Sequence, residues 1–185
     1  MTSARSSERR PVIGVMGSGV ARHDALARPI GGWIAGQGFH LLTGGGTGVM
    51  TAVSEAFTAV ADRVGIVIGV LPSAEDDPRY DQPPGYPNRW VELAIRTHLP
   101  LSGVRGTAPL SRNHINVLTA DVVIALPGGP GTSSEVRLAR RYDRPCIAFL
   151  NDRSQIPNLP DTVPDVDTVD DVAHFVLDHV TARPR

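Results

Sequence analysis

Short apolar runs alternate with longer amphipathic stretches along this chain. Pro11–Met16 (PVIGVM), Phe39–Thr43 (FHLLT), Val64–Leu71 (VGIVIGVL), Val122–Leu126 (VVIAL) and Pro145–Leu150 (PCIAFL) are apolar almost throughout. Strands covered on both faces read this way. Trp90–Leu99 alternates weakly and predicts one more strand, fourth in chain order. Between the strands, Asp24–Gln37, Val49–Asp62, Ser111–Ala120, Ser133–Arg141 and Val169–Val180 predict helices. In the second, Val49, Val53, Ala56, Phe57 and Val60 share one face; in the third, Ile115 and Leu118 are expected to point inward. Pro29 is expected in the first turn of its helix or at a kink. Pro72–Arg89 shows no period and predicts a long loop, and Asn151–Thr168 predicts an irregular stretch.

Strands alternating with helices imply parallel pairing through right-handed crossovers. The predicted fold is α/β: a doubly wound, Rossmann-like parallel sheet with helices on both faces, in a single domain over residues 11–182. Residues 1–10 (MTSARSSERR) are expected to form a disordered polar tail.

Composition narrows the chemistry. The 185 residues carry a net charge of −1, which gives no electrostatic reason to expect nucleic acid or an anionic membrane as partner. No apolar run reaches the ~18–20 residues of a membrane span, and the N-terminal tail lacks a signal-peptide apolar stretch. The chain contains no lysine, so it can neither form a Schiff base with pyridoxal phosphate nor complete a Walker A loop. Cys146 is the single cysteine, which excludes an intramolecular disulfide and a cysteine-rich zinc site and fits a cytoplasmic setting. It follows Pro145 in an apolar run and reads as a buried apolar residue. Asp76-Asp77 reads as a solvated loop pair rather than a metal site, and the six histidines have no ligand spacing. No metal and no resident cofactor is expected.

Three glycine clusters follow strands directly: Gly17-Ser18-Gly19, Gly44–Gly48 and Pro127–Thr132. In doubly wound sheets, ligands bind at these carboxyl ends. Glycine lets backbone N–H groups approach a ligand, and the following helix N-terminus adds unpaired donors and positive dipole. Neither larger cluster is a dinucleotide fingerprint. Val49 stands where Gly44-x-Gly46 would need its third glycine, and no acid ends the second strand. A single phosphate, as in a mononucleotide, is the expected ligand group.

Pro127-Gly128-Gly129-Pro130-Gly131-Thr132-Ser133-Ser134-Glu135 resembles the PGGxGTxxE motif of the Lonely Guy (LOG) superfamily. Gly44-Gly45-Gly46-Thr47-Gly48-Val49-Met50 resembles that superfamily's second glycine motif. Gly17-Ser18, and Arg112 before the PGG strand, complete a likeness spanning about Pro11 to Leu150. The resemblance implies a homodimeric Rossmann-like protein that hydrolyses the N-glycosidic bond of a nucleoside 5′-monophosphate. Base and ribose 5-phosphate are the products. It implies Arg112 and Glu135 as the catalytic pair. Gly17, Ser18, Gly44, Gly45, Gly46, Thr47, Gly48, Asn113, Pro127, Gly128, Gly129, Gly131 and Thr132 would bind an AMP-like phosphorylated ligand. Lysine decarboxylation, an activity also ascribed to such proteins, conflicts with the missing lysine. Asn113 after Arg112, a tighter second glycine motif and a short stretch from Glu135 to Pro145 are similar to a sister branch that includes the molybdenum cofactor carrier protein. That branch implies the alternative: a non-catalytic carrier or sensor of a phosphorylated cofactor.

Several of these residues also have plainer readings. Thr132-x-x-Glu135 has the spacing of a capping box, with Thr132 as N-cap. Arg112 can also be read as a solvated helix residue and Asn113 and Asn116 as turn or cap residues, while His114, beside Arg112, reads as a surface histidine rather than a general acid. The helices at Val49–Ala61 and Ser111–Ala120 hold more apolar residues than one buried face needs, which predicts a homodimer interface there.

Overall fold

A computed structural model describes residues 9–74, 79 and 81–181. The tail at residues 1–8, the Asp76-Asp77 pair and residues 182–185 lie outside the described residues. Among the described residues seven parallel strands form one sheet: β1 (Val12–Met16), β2 (His40–Thr43), β3 (Val67–Leu71), β4 (Leu93–Arg96), β5 (Val122–Ala125), β6 (Cys146–Phe149) and β7 (Asp165–Val166). Their order is β4-β3-β2-β1-β5-β6-β7. The helices are α1 (Asp24–Gly36), α2 (Val49–Thr58), α3 (Asn113–Thr119), α4 (Pro130–Arg141) and α5 (Val169–Thr181).

Alternation along each strand sorts side chains into two cores. Ile13 and Val15 of β1 pack with α1, α2 and α5 through Ile30, Phe57 and Val172. Val12 and Met16 point to the opposite face and pack with α3 and α4 through Val117 and Val136. The doubly wound α/β class is therefore observed. So is its consequence for ligands: strand order reverses between β1 and β5, and a crevice opens at their carboxyl ends.

Five local expectations change. The stretch from Asn151 to Thr168 holds a seventh strand, two residues long, paired with β6 through Ala148↔Asp165 and Phe149↔Val166. So short a strand leaves no periodic signal. Pro29 lies one turn further into α1 than the first turn, inside an otherwise continuous helix. Helix α4 begins at Pro130, not Ser133, because proline suits the first position of a helix, where its missing N–H has no partner to lose. Leu118 is 44% exposed, and Val117 takes the inward position instead. Finally, the apolar surplus of α2 is used inside the chain: Val49, Val53 and Phe57 join the α1 core and Met50 faces the crevice.

Candidate functional site

The loops that leave β1 and β5 meet over the crevice. Ser18 N–H donates to Pro127 O (3.0 Å), and Gly128 N–H donates to Gln155 O (3.1 Å). A cavity of ≈ 330 Å³ lies between them. Ligand pockets run from ~300 Å³ upward, so this one suits a compact ligand. Of the residues singled out in the sequence, Gly17, Ser18, Gly44, Arg112, Asn113, Gly129, Gly131, Thr132 and Glu135 line it.

Helix α4 points its N-terminus at this space. Gly129 is its N-cap, and the first helical bond runs from Ser133 N–H to Gly129 O (3.1 Å). The N–H groups of Gly131 and Thr132 precede that bond and have no partner within the helix. Thr132 is buried, and its Oγ1 has no hydrogen-bond partner among the described residues. Free backbone donors, a hydroxyl and the helix dipole together favour an anionic oxygen. The capping box read from the sequence does not form. Thr132 sits inside the first turn, no side chain caps the helix, and Glu135 is engaged elsewhere.

Glu135 turns toward α3. Its Oε1 accepts from Asn116 Nδ2 (3.0 Å) and lies 3.7 Å from Arg112 Nη1. Glu135 is 7% exposed, Arg112 5% and Asn116 0%. Arg112 is thus a buried cation rather than a solvated one, and Asn116 is a buried partner of the carboxyl rather than a cap. Burial dominates the carboxyl's ionisation and holds its pKa above the ordinary glutamate value, against the opposing pull of Arg112 and the Asn116 hydrogen bond. Nε and Nη1 of Arg112 have no hydrogen-bond partner among the described residues. A Cβ on Gly44 would lie 2.4 Å from Nη1 and Nη2, so only glycine lets the guanidinium settle here. The arrangement presents unpaired N–H groups of a buried cation to the cavity, beside a carboxyl that burial drives toward its neutral form.

His114 does not line the cavity. Its Nδ1 pairs with Tyr142 Oη (2.6 Å) and its Nε2 with Ala108 O (2.9 Å), so both nitrogens are in use and the residue is half-buried rather than on the surface. The Cys146 thiol is buried, which pushes its pKa up to about 12. Among the described residues no cluster of three His, Cys, Asp or Glu side chains could hold a metal, and no helix is long and apolar enough to cross a membrane.

The second glycine cluster sits differently. Only Gly44 lines the cavity; Gly45–Gly48 lie behind it. Thr47 Oγ1 donates to Gly19 O, and Val49 N–H donates to Ser18 O (2.9 Å). Gly48 has φ +64°, and a Cβ there would fall 2.3 Å from Ser18 O. Glycine at 48 is thus demanded by backbone conformation and by close packing of the two loops. Val20, Tyr86, Ser102 and Gly103 line the cavity and escaped the sequence reading, and Met50 reads in the sequence only as part of the second glycine motif. Of the four that escaped, Tyr86 left a signal, as an aromatic between prolines in a long loop.

The profile of the SLOG cluster4 family matches residues 10–174, and the chain belongs to that family. An uncharacterized protein of Archaeoglobus fulgidus is 31% identical over 129 residues, 69% of this chain and 72% of that one. The chain is similar to the molybdenum cofactor binding protein of Rippkaea orientalis, at 33% identity and a TM-score of 0.72, covering 94% of this chain and 99% of that one. It is also similar to the Moco carrier protein of Chlamydomonas reinhardtii, at 27% identity and a TM-score of 0.71, covering 95% and 100%. A DNA processing protein A from Helicobacter pylori, 14% identical with a TM-score of 0.62, shares the fold alone.

Proposed function

We propose that this cavity binds a phosphorylated small molecule and carries it without cleaving it, the ligand being a phosphorylated pterin of the molybdenum cofactor class. The ligand's phosphate lies at the N-terminus of α4, on Gly129, Gly131, Thr132 and Ser18, with Arg112 as the counter-charge. One observation favours a carrier over a hydrolase: Glu135 is buried, and its Oε1 is already engaged by Asn116 and faces Arg112. A carboxyl oxygen engaged in this way is not free to activate water as a base. The likeness to a molybdenum cofactor binding protein across nearly the whole of both chains supports the same reading.

A second reading keeps one observation in its favour. Arg112 and Glu135 both line the cavity, the juxtaposition that N-glycoside hydrolysis of a nucleoside 5′-monophosphate would use. The two readings separate in one experiment. The protein is mixed with molybdenum cofactor, or with each of several nucleoside 5′-monophosphates, then passed through gel filtration, with chromatography of bound and free material. The carrier reading expects intact cofactor with the protein and no free base. Released base overturns it in favour of the hydrolase.

We place a homodimer contact on the α3 side of the molecule, where Leu110 and Leu118 are exposed. Light scattering should give twice the chain mass at micromolar concentration, and a monomer mass overturns the contact.

A further inference from the structure

The loop from residue 72 to 89 is not a free appendage in its second half. Asn88 clamps it to the second glycine cluster: its backbone N–H donates to Gly45 O (2.7 Å) and its Nδ2 to Gly46 O (2.8 Å). Asn88 is itself buried, and its Oδ1 accepts from Trp90 N–H (3.0 Å). Between the prolines, Tyr86 N–H donates to Pro83 O (3.2 Å), which fixes the turn that carries the ring. Tyr86 then lies directly over Gly46, where a Cβ would be 2.7 Å from Cζ and 2.8 Å from the hydroxyl oxygen. Met50 occupies the other side of the same residue, its sulfur accepting Gly46 N–H (3.3 Å). Tyr86 and Met50 both line the cavity.

The cavity therefore has two kinds of wall. One is charged and donor-rich, from α4 and Arg112. The other is an aromatic ring and a thioether, uncharged and suited to a flat apolar surface. We infer that Tyr86 is the residue that selects a planar heterocycle on the phosphorylated ligand, by stacking against it, and that Gly46 serves to seat this ring rather than to hold phosphate. The inference rests on the cavity being a phosphate-ligand site, as proposed above. It adds the residue that recognises the group attached to the phosphate and assigns the second glycine cluster a role in recognition through the loop it anchors.

Two probes differ only in the base: AMP and ribose 5-phosphate. Calorimetric titration is carried out on the wild type and on Tyr86→Ala, Tyr86→Phe and Gly46→Ala, with thermal unfolding as a check that each variant is folded. Stacking of a base on an aromatic residue corresponds to at least about fivefold in affinity. The wild type should prefer AMP to ribose 5-phosphate by that factor or more. Tyr86→Ala should remove the preference while leaving ribose 5-phosphate binding within about twofold. Tyr86→Phe should keep the preference. Gly46→Ala should reproduce Tyr86→Ala, because the added methyl displaces the ring. A wild type that binds both probes equally, or a Tyr86→Ala variant that keeps the preference, overturns this inference and leaves the phosphate site standing. So does equal weakening of both probes in Tyr86→Ala or Gly46→Ala, since the loop or the glycine would then serve the phosphate end. A wild type that binds neither probe overturns the phosphate site and this inference together.

Discussion

Two glycine-rich loops of nearly the same composition do different work in this molecule. In Pro127–Thr132 two of the three glycines look outward: nothing lies within 4 Å of a Cβ built on Gly129, and only Gly103 backbone at 3.8 Å meets one on Gly131, whereas Gly128 packs against Thr132 and Ser18. In Gly44–Gly48 the glycines look inward. Arg112 covers Gly44, Leu71 covers Gly45, Tyr86 covers Gly46, and Ser18 O covers Gly48. At Gly129 and Gly131 the first loop leaves open the space where we propose that the phosphate sits. The second is bare because the protein itself fills the space. Glycine content at a strand end identifies close approach, and the folded surroundings decide what approaches.

The contrast can be broken by mutation. The largest expected effect is at Gly48. Alanine there meets a positive φ and a backbone oxygen at 2.3 Å, and should cost about 3 kcal/mol in urea unfolding. Gly129→Ala should stay within about 0.5 kcal/mol of wild type, since it meets only open space. Equal losses at the two positions would erase the distinction between the loops.

A smaller effect sharpens what stands behind the ligand-facing loop. The folded state holds Glu135 protonated at a pH where the unfolded chain has already released that proton. The stability this contributes is full below the ordinary glutamate pKa and is lost as pH rises through the raised one. Glu135→Gln has no proton to lose, and its unfolding free energy should lack that fall as pH rises above the ordinary glutamate range. Parallel curves for wild type and variant would mean that burial does not raise the carboxyl's pKa in the fold.

The smallest effect concerns Thr132. Its Oγ1 is buried without a partner, so Thr132→Val should leave the ligand-free protein as stable or up to about 1 kcal/mol more stable, while weakening phosphate binding. A destabilised Thr132→Val would show that the hydroxyl already has a structural partner.

Much of the frame was legible because it is local. Apolar runs ending in glycine mark β1, β2 and β5, and Pro127–Thr132 followed by an amphipathic stretch marks the loop before α4. What escaped the sequence was long-range. Asn116 reads as a cap because asparagine often is one, and its bond to Glu135 exists only once α3 lies beside α4. The Thr132–Glu135 spacing fits a capping box, yet burial and Asn116 draw the carboxyl away from the helix end. Tyr86 reaches the cavity only because Asn88 binds Gly45 and Gly46, some forty residues earlier in the chain. Leu118 and Val117 differ by one position, and helix periodicity alone could not resolve which of them turns inward.

The most direct test of the account is retention of molybdenum cofactor through gel filtration by wild type and Gly129→Val, each first shown to unfold at the same temperature. The account predicts about one equivalent of intact cofactor with the wild type and none with Gly129→Val, whose side chain would occupy the space where the phosphate must sit. Equal retention by both proteins, or none by the wild type, would contradict it.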